Sequence, residues 1–321
     1  MRFRDRRRDA PALLCGWSIS RHANDVDAAW RICGPRVGWA LMGAVDGSRQ
    51  RRALILPPSR WPALDFAELW DYRAICRVLV QRMLKVRYKQ TMLGAGWAVI
   101  QPIMLMLVFT VFFGILVQVP SEGVPYPLFV FVGLVVWQFV ARVLNEASAS
   151  IALNGHLVTK IYFPRVFLPA AVLVASLVDL AFAVLALALL MAIYEVMPGW
   201  PIVFVPLWLA LASAAVLGIS LWLAALYAAY RDIGHLLPFI TQLWMFLTPI
   251  IYPSSLVPEA YRLLYAVNPL VATVEGFRWA CLGAPPPTLS TVMVGFASAA
   301  LLLATGYVFF RKRESFFSDV V

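Results

Sequence analysis

The sequence predicts an all-α membrane protein with six transmembrane helices, an N-terminal amphipathic interfacial helix, and short re-entrant helices between the fifth and sixth spans. Three observations predict it. Six long apolar stretches lie between Arg87 and Arg311, each near the roughly 20 residues that a rise of 1.5 Å per residue needs to cross the hydrocarbon core. None alternates with the period of two that a barrel strand requires. The composition, 62% hydrophobic and 14% charged over 321 residues with a mean hydropathy of +0.78, exceeds what a soluble domain of this length normally buries or exposes.

Residues 1–57 are rich in Arg, carry scattered Trp and Gly without helical periodicity, and are expected to form a disordered cytoplasmic extension. Such a basic tail can lie against anionic headgroups. No signal peptide is expected, because Arg21, His22, Asn24, Asp25 and Asp27 break the apolar core that would have to follow Arg2, Arg4 and Arg6 to Arg8. The transmembrane domain is expected over 58–321. After Pro57-Pro58, Asp65 with Glu68 three residues later forms a helix-start signal. Leu69, Tyr72, Cys76, Leu79, Val80 and Met83 then recur at three- and four-residue spacing. Arg82, Lys85, Arg87 and Lys89 gather at the end of this helix, where positive charge suits its dipole. A helix of this kind rests in the cytoplasmic headgroup plane without crossing it.

Spans are expected at 97–118, 127–144, 168–193, 202–228, 236–253 and 290–310. Gly94 and Gly96 permit the turn into the first, and Gln101-Pro102 places a kink and an amide one turn inside it. The connection 145–167, with Asn145, Glu146, Asn154, His156, Lys160 and Arg165, has two readings. It is a short helix projecting toward a cytosolic partner, or an interfacial loop anchored by Tyr162 and Phe163. Residues 254–289 are too apolar for a free loop, yet Pro258, Pro269 and Pro285 to Pro287 interrupt any single span. Two short helices dipping into the outer leaflet fit, since non-spanning backbone is tolerated where protein buries it.

Charge sets the orientation. Of the 27 Lys and Arg, 18 precede Thr91, and Lys160, Arg165, Arg231, Arg311, Lys312 and Arg313 fall in alternate connections after it. Only Arg262 and Arg278 lie in connections on the other side, with Arg142 near the end of the second span. The positive-inside rule then puts both termini in the cytoplasm. The same distribution argues against nucleic acid as the partner of a chain with net charge +10. Cys15, Cys33, Cys76 and Cys281 contain no CxxC, and His22, His156 and His235 have no metal-ligand spacing, so neither a disulfide nor a metal site is expected.

A phosphate loop needs Lys directly after Gly, so that backbone N–H groups cradle the phosphates and the ammonium reaches them. Lys85, Lys89, Lys160 and Lys312 follow Leu, Tyr, Thr and Arg instead. The chain therefore cannot hydrolyse ATP by that route. The outside acids Glu122, Glu195, Glu259 and Glu275 are scattered, and a membrane-embedded enzyme stays open only if folding joins Glu259, Glu275 and Arg278. Asp179, the one ionisable residue deep in a span, reads either as a transport group or as a helix-to-helix hydrogen bond. Trp97, Trp137, Trp200, Trp208 and Trp279 are assigned to interfacial belts. Phe109, Phe112, Phe113, Trp244, Phe246 and Tyr252 either pack on neighbouring helices or line a path on which sugar rings slide.

Several segments carry a resemblance in their order along residues 58–318. They are Trp61-Pro-x-Leu-Asp65, Glu68-Leu-Trp-x-Tyr-Arg73, Val86-Arg-Tyr-Lys-Gln-Thr91 with Leu93-Gly94, Trp97 and Gln101-Pro102, Lys160-Ile-Tyr-Phe-Pro-Arg165, Tyr230-Arg-Asp232, Pro249-Ile-Ile-Tyr-Pro253 and Asn268-Pro269. Together they resemble the polysaccharide and polyol-phosphate export permeases, the membrane subunits of ABC transporters that export O-antigen, capsule or teichoic-acid chains. The resemblance implies a homodimer in the bacterial inner membrane, paired with nucleotide-binding ATPase subunits that carry the ATP and Mg, so that this chain needs no cofactor of its own. It implies a lipid-linked polysaccharide as cargo. By the same resemblance Tyr88, Lys89, Gln90, His156, Lys160, Tyr162, Pro164 and Arg165 couple to the ATPase, and Tyr230, Arg231 and Asp232 form a cytoplasmic gate. Gln101, Phe109, Phe112, Trp244, Phe246 and Tyr252 line the translocation path, and Glu259, Asn268, Glu275 and Arg278 a periplasmic gate. The alternatives are a small-molecule or lipid exporter of the same superfamily, and a glycan- or polyprenyl-phosphate-modifying enzyme.

Overall fold

A computed structural model describes residues 70, 72–89, 94–160, 163–314 and 317, all within the segment Ser59–Val321. The expected extension 1–57, the Asp65 and Glu68 start signal, Gln90 and Tyr162 lie outside the described residues. The elements are α1 (Arg73–Lys89), α2 (Trp97–Phe109, continued by a π-helical turn Thr110–Leu116), α3 (Tyr126–Leu153), α4 (Gly155–Lys160) and α5 (Phe167–Ile193). They continue with α6 (Val205–Ala229, entered through a 3-10 turn Trp200–Phe204), α7 (Ile233–Phe246), α8 (Glu259–Ala266), α9 (Pro269–Leu282) and α10 (Leu289–Arg313). No strand occurs among the described residues.

Five of these, α2, α3, α5, α6 and α10 with their extensions, are long and apolar enough to cross a membrane. α3 is the centre. Over Leu128 to Trp137 it is apolar on every side and buried without a break, and 78% of its apolar window is covered, against 17% for α2 and for α10. A helix apolar all round belongs in the interior, whereas the peripheral helices leave their apolar faces for lipid or another chain. α10 lies along α6 at backbone contact. A Cβ on Gly218 would sit 2.5 Å from the Leu302 carbonyl carbon and the Leu303 nitrogen, and one on Gly306 would sit 2.2 Å from the Gly218 oxygen. Small residues allow such approach where dispersion and interhelical hydrogen bonds must drive association. Trp222 stacks on Phe309 at 4.0 Å beside this seam.

Two expected spans differ. The second runs to Leu153 instead of stopping near 144, so Arg142, Asn145 and Glu146 are helical, and the following connection, 154–166, holds the six-residue α4. The fifth, expected at 236–253, is helical only over the 14 residues of α7. Pro249 explains the stop, since it lacks an N–H and biases Thr248 away from the helical region. α7 alone is too short for the roughly 20 residues of a span. The chain nevertheless changes ends between 230 and 288. The Arg165 backbone N–H donates to Glu314 Oε1 at 2.8 Å, which sets the end of α10 beside the start of α5, so the start of α10 lies at the opposite end. α7 and the turn after it therefore traverse the bundle. α8 and α9 are the two short helices expected after it.

Trp137 and Trp208 do not form a belt. They are 5% and 4% exposed, Trp137 packing edge-on against Trp244 at 6.1 Å, because α3 and α6 turn these faces inward. Trp97 and Trp200 are exposed, and Trp279 stacks on Phe204 at 5.5 Å.

Gly306→Ala is expected to cost about 1–3 kcal/mol, because the added methyl meets backbone that cannot yield. The check is the melting temperature of the purified chain in lipid nanodiscs.

Candidate functional site

α1 presents one apolar face: Leu79 is buried, and Tyr72, Ile75, Cys76, Val80 and Met83 pack around a cluster with Ile151, Val158, Phe163 and Phe167. Its last turn does more than lie on the bundle. Asp179 stands twelve residues into α5, about 18 Å along it, and there its carboxylate accepts from Arg87, from the Tyr88 hydroxyl, and from Arg142 at 2.8 Å. Arg87 also pairs with Glu146. Two guanidiniums and two carboxylates thus join the end of α1 to α3 and α5, with Asp179 itself 8% exposed. Burial pushes the Tyr88 hydroxyl up to about 12, helped by its hydrogen bond to Asp179, so it remains a donor. Of the two readings of Asp179, the geometry supplies the helix-to-helix one, through charged rather than neutral partners.

The other residues expected to couple divide in two. Lys89, His156 and Lys160 are exposed. Pro164 is buried, and Arg165 is spent inside the protein: its guanidinium donates to the Glu314 carbonyl, and Glu314 also holds Arg311 at 2.7 Å. Phe310 and Phe317 meet edge-on at 5.2 Å, both fully buried in the cluster that holds Leu79 and Phe163. The chain's last helix therefore braces the 155–165 segment. Tyr230, Arg231 and Asp232 all lie exposed in the turn between α6 and α7.

At the far end, the break in α7 leaves carbonyls without helical donors. The Tyr252 hydroxyl donates to Phe246 O at 2.9 Å, Asn268 Nδ2 to Leu247 O at 3.4 Å, Arg278 to Ile250 O at 2.7 Å, and Tyr126 to Ile251 O at 2.9 Å. Asn268 also caps α9 by accepting from the Leu270 N–H at 3.1 Å. Arg278 is 3% exposed, donates to Phe129 O at 3.3 Å and lies 3.4 Å over the Phe129 ring. Gly133 leaves room for it: a Cβ there would sit 3.3 Å from the guanidinium. Desolvation lowers the Arg278 value and raises the Glu275 carboxyl, which a hydrogen bond from Ser254 and the Arg278 charge oppose. Glu275 and Arg278 line one cavity of about 310 Å³, with Glu122, Arg262 and Tyr265. Glu259 does not line it. Its side chain is 88% exposed and faces Arg262 at 3.5 Å.

The expected path residues also divide. Gln101, Phe112 and Phe246 are exposed, Trp244 and Tyr252 half-buried, and Phe109 is buried against Phe113 at 5.9 Å. α2 packs on α3 and α5, and α7 on α3 and α6. Among the described residues no group of three or more His, Cys, Asp or Glu could hold a metal. Burial raises the thiols of Cys76 and Cys281, the latter to about 11, which suits packing and not nucleophilic attack. Sequence reasoning missed Arg87, Tyr88 and Arg142 as partners of Asp179, and Glu146 as the second partner of Arg87. The usable signal was that a deep carboxylate needs a cation, and Arg142 was the span cation available.

Asp179→Ala leaves two guanidiniums without their shared anion and is expected to cost about 3 kcal/mol, partly recovered when Arg142→Ala is added. Thermal unfolding in nanodiscs measures both, and an unchanged single variant would show that Asp179 does not brace the three helices. Because burial raises the Glu275 carboxyl, the folded chain holds that proton more tightly than the unfolded one. The contribution of Glu275 to stability is then fully present below the ordinary carboxyl range and is lost as pH rises through the raised value. Glu275→Gln should flatten that slope in a series of melting temperatures against pH.

Comparison with known proteins gives the same architecture a family. The ABC-2 type transporter family matches residues 75–282, from near the start of α1 to the end of α9. The O-antigen export system permease protein RfbA of Myxococcus xanthus is 30% identical over 257 residues, 79% of this chain and 98% of that protein. The permease of the same name from Klebsiella pneumoniae is 24% identical, over 76% of this chain and 93% of its own. The polysialic acid transport protein KpsM of Escherichia coli is 23% identical, over 74% and 92%. With a helical bundle that these relatives match over nearly their whole lengths, the chain belongs to the ABC-2 type transporter membrane family.

Proposed function

We propose that this chain is the membrane-spanning permease of an ATP-driven exporter that moves a lipid-linked polysaccharide of O-antigen or capsule type across the bacterial cytoplasmic membrane. The observation that carries this reading is the near-complete overlap with O-antigen and polysialic acid export proteins. The absence of any Gly-Lys pair from the sequence supports an ATPase on a separate subunit, where ATP and Mg would reside. Lys160, Arg165, Arg231 and Arg311 share the end of the bundle that holds the start of α5 and the end of α10, which supports a cytoplasmic location for that end and for both termini. Lys89, His156 and Lys160, exposed there, are the contacts proposed for the ATPase. Tyr88, Pro164 and Arg165 hold those contacts in place from behind.

The permease acts as a homodimer in this reading. α2 and α7 flank α3 with exposed apolar faces that include Leu107, Val111 and Ile115 on one and Leu236, Phe239 and Leu243 on the other. A second copy would bring α2 of one subunit toward α7 of its partner, with Gln101, Phe112, Trp244 and Phe246 along the path. ATP favours one of two arrangements only by the difference in its binding free energy between them. Tyr230 to Asp232 would serve as the inner gate, and Glu275 with Arg278 as the outer one.

Deletion of this gene is expected to remove the glycan from the cell surface and accumulate its lipid-linked form in the cytoplasm. Restoration should require both this chain and its ATPase with an intact phosphate loop. Surface glycan persisting in the deletion strain, or turnover of a sugar or phosphate bond by the purified chain alone, would overturn the proposal. Lys160→Glu should lower recovery of the ATPase in pull-downs without lowering the amount of inserted chain.

A further inference from the structure

We propose that the cavity at the far end of the bundle, between the loop before α3 and the segment α8 to α10, is a binding subsite for one neutral pyranose unit. The source of that sugar rests on the export reading, while the preference for a neutral ring rests on the cavity walls. The volume, about 310 Å³, stands at the lower end of the roughly 300–1,000 Å³ typical of small-ligand sites. That size admits a single ring and not a length of chain.

The walls are ionic but balanced. Glu122 and Glu275 face Arg262 and Arg278 across the same space. An anion such as phosphate would meet two carboxylates, and a cation would meet two guanidiniums. A ring whose every hydroxyl both donates and accepts satisfies each kind of group at once, with charge-assisted bonds of the stronger class. Prolines, among them Pro253 and Pro287, supply C–H surface for the apolar face of the ring.

The site is held in advance. Arg278 is anchored in this arrangement by the Phe129 and Ile250 carbonyls and the Phe129 ring, which hold its guanidinium. Glu122 occupies a left-handed backbone conformation, φ 55°, which a residue with a side chain adopts rarely, and its carboxylate accepts from the Ser255 hydroxyl at 3.0 Å. Tyr265 hydrogen-bonds Tyr252 at 3.1 Å and forms the wall between this cavity and an adjoining groove, also lined by Trp244 and Tyr261. Those aromatic faces suit the next ring of a chain, so a polar position and a stacking position lie side by side.

The test uses the full-length chain in lipid nanodiscs free of glycoside detergent. The probes are the methyl glycosides of mannose, galactose, rhamnose and N-acetylglucosamine, read by saturation-transfer NMR. At least one glycoside is expected to bind saturably in the millimolar range, with no competition from inorganic phosphate or spermine. Glu122→Gln or Arg262→Gln, both on exposed side chains, should weaken it about tenfold. Thr291→Trp, which fills the cavity without altering a charge, should abolish it. The subsite is overturned if no glycoside saturates, if phosphate competes, or if none of the three variants weakens binding. Glycan export is scored separately in the deletion strain. Export that depends on this chain without glycoside binding sinks the subsite alone, and glycoside binding by a chain dispensable for export sinks the export reading alone.

Discussion

The carbonyl groups released where α7 stops govern the far half of this protein. Those of Phe246 and Leu247 lie at exposed residues, but those of Ile250 and Ile251 are buried, where an orphan costs several kcal/mol unless a donor is delivered to it. Four side chains from three other places deliver one: Tyr126 at the start of α3, Tyr252 in the turn itself, and Asn268 and Arg278 on either side of α9's first two turns. This requirement explains why α9 is buried although it spans nothing, and why Gly133 stands on the face of α3 that Arg278 approaches.

A different constraint organises the opposite end. Asp179 is tolerable inside a span only because it is paired, and the pairing recruits the end of α1 as well as α3. Arg165 and Glu314 tie the α4 segment to α10 in the same region. Any subunit that pushes on α1 or α4 therefore pushes on α3, α5 and α10 together, unless it breaks a charged contact. The exposed Lys89 and Lys160 sit on that braced unit, not on a free loop.

Much of this was legible in the sequence. Four of the six expected spans appear with nearly the expected ends, because an uninterrupted apolar run in lipid has no alternative to a helix. The amphipathic face of α1 and the two short helices after α7 were readable from three- and four-residue spacing and from proline positions. The early end of α7 was not read, although Pro249 announced it, because the residues beyond it are as apolar as a span. Trp137 and Trp208 were assigned to belts by residue type, yet which face of α3 or α6 points inward depends on neighbours that hydropathy does not specify. Glu259 was grouped with Glu275 and Arg278, and it falls on the exposed side of α8 while Glu122, distant in sequence, completes the cavity.

Composition and order along the chain determined that this is a helical membrane protein, where its helices begin, which connections are basic, and which family its segments resemble. Those properties follow from the solvent, since lipid enforces helices of a certain length and charge resists crossing it. Tertiary structure alone decided which polar groups meet: Asp179 with Arg87 and Arg142, Glu314 with Arg165, and Arg278 with the carbonyls of a helix that ends early. A hydrogen bond or ion pair is specific over a few ångströms and in direction, and only the packing of helices upon one another sets distances of that kind.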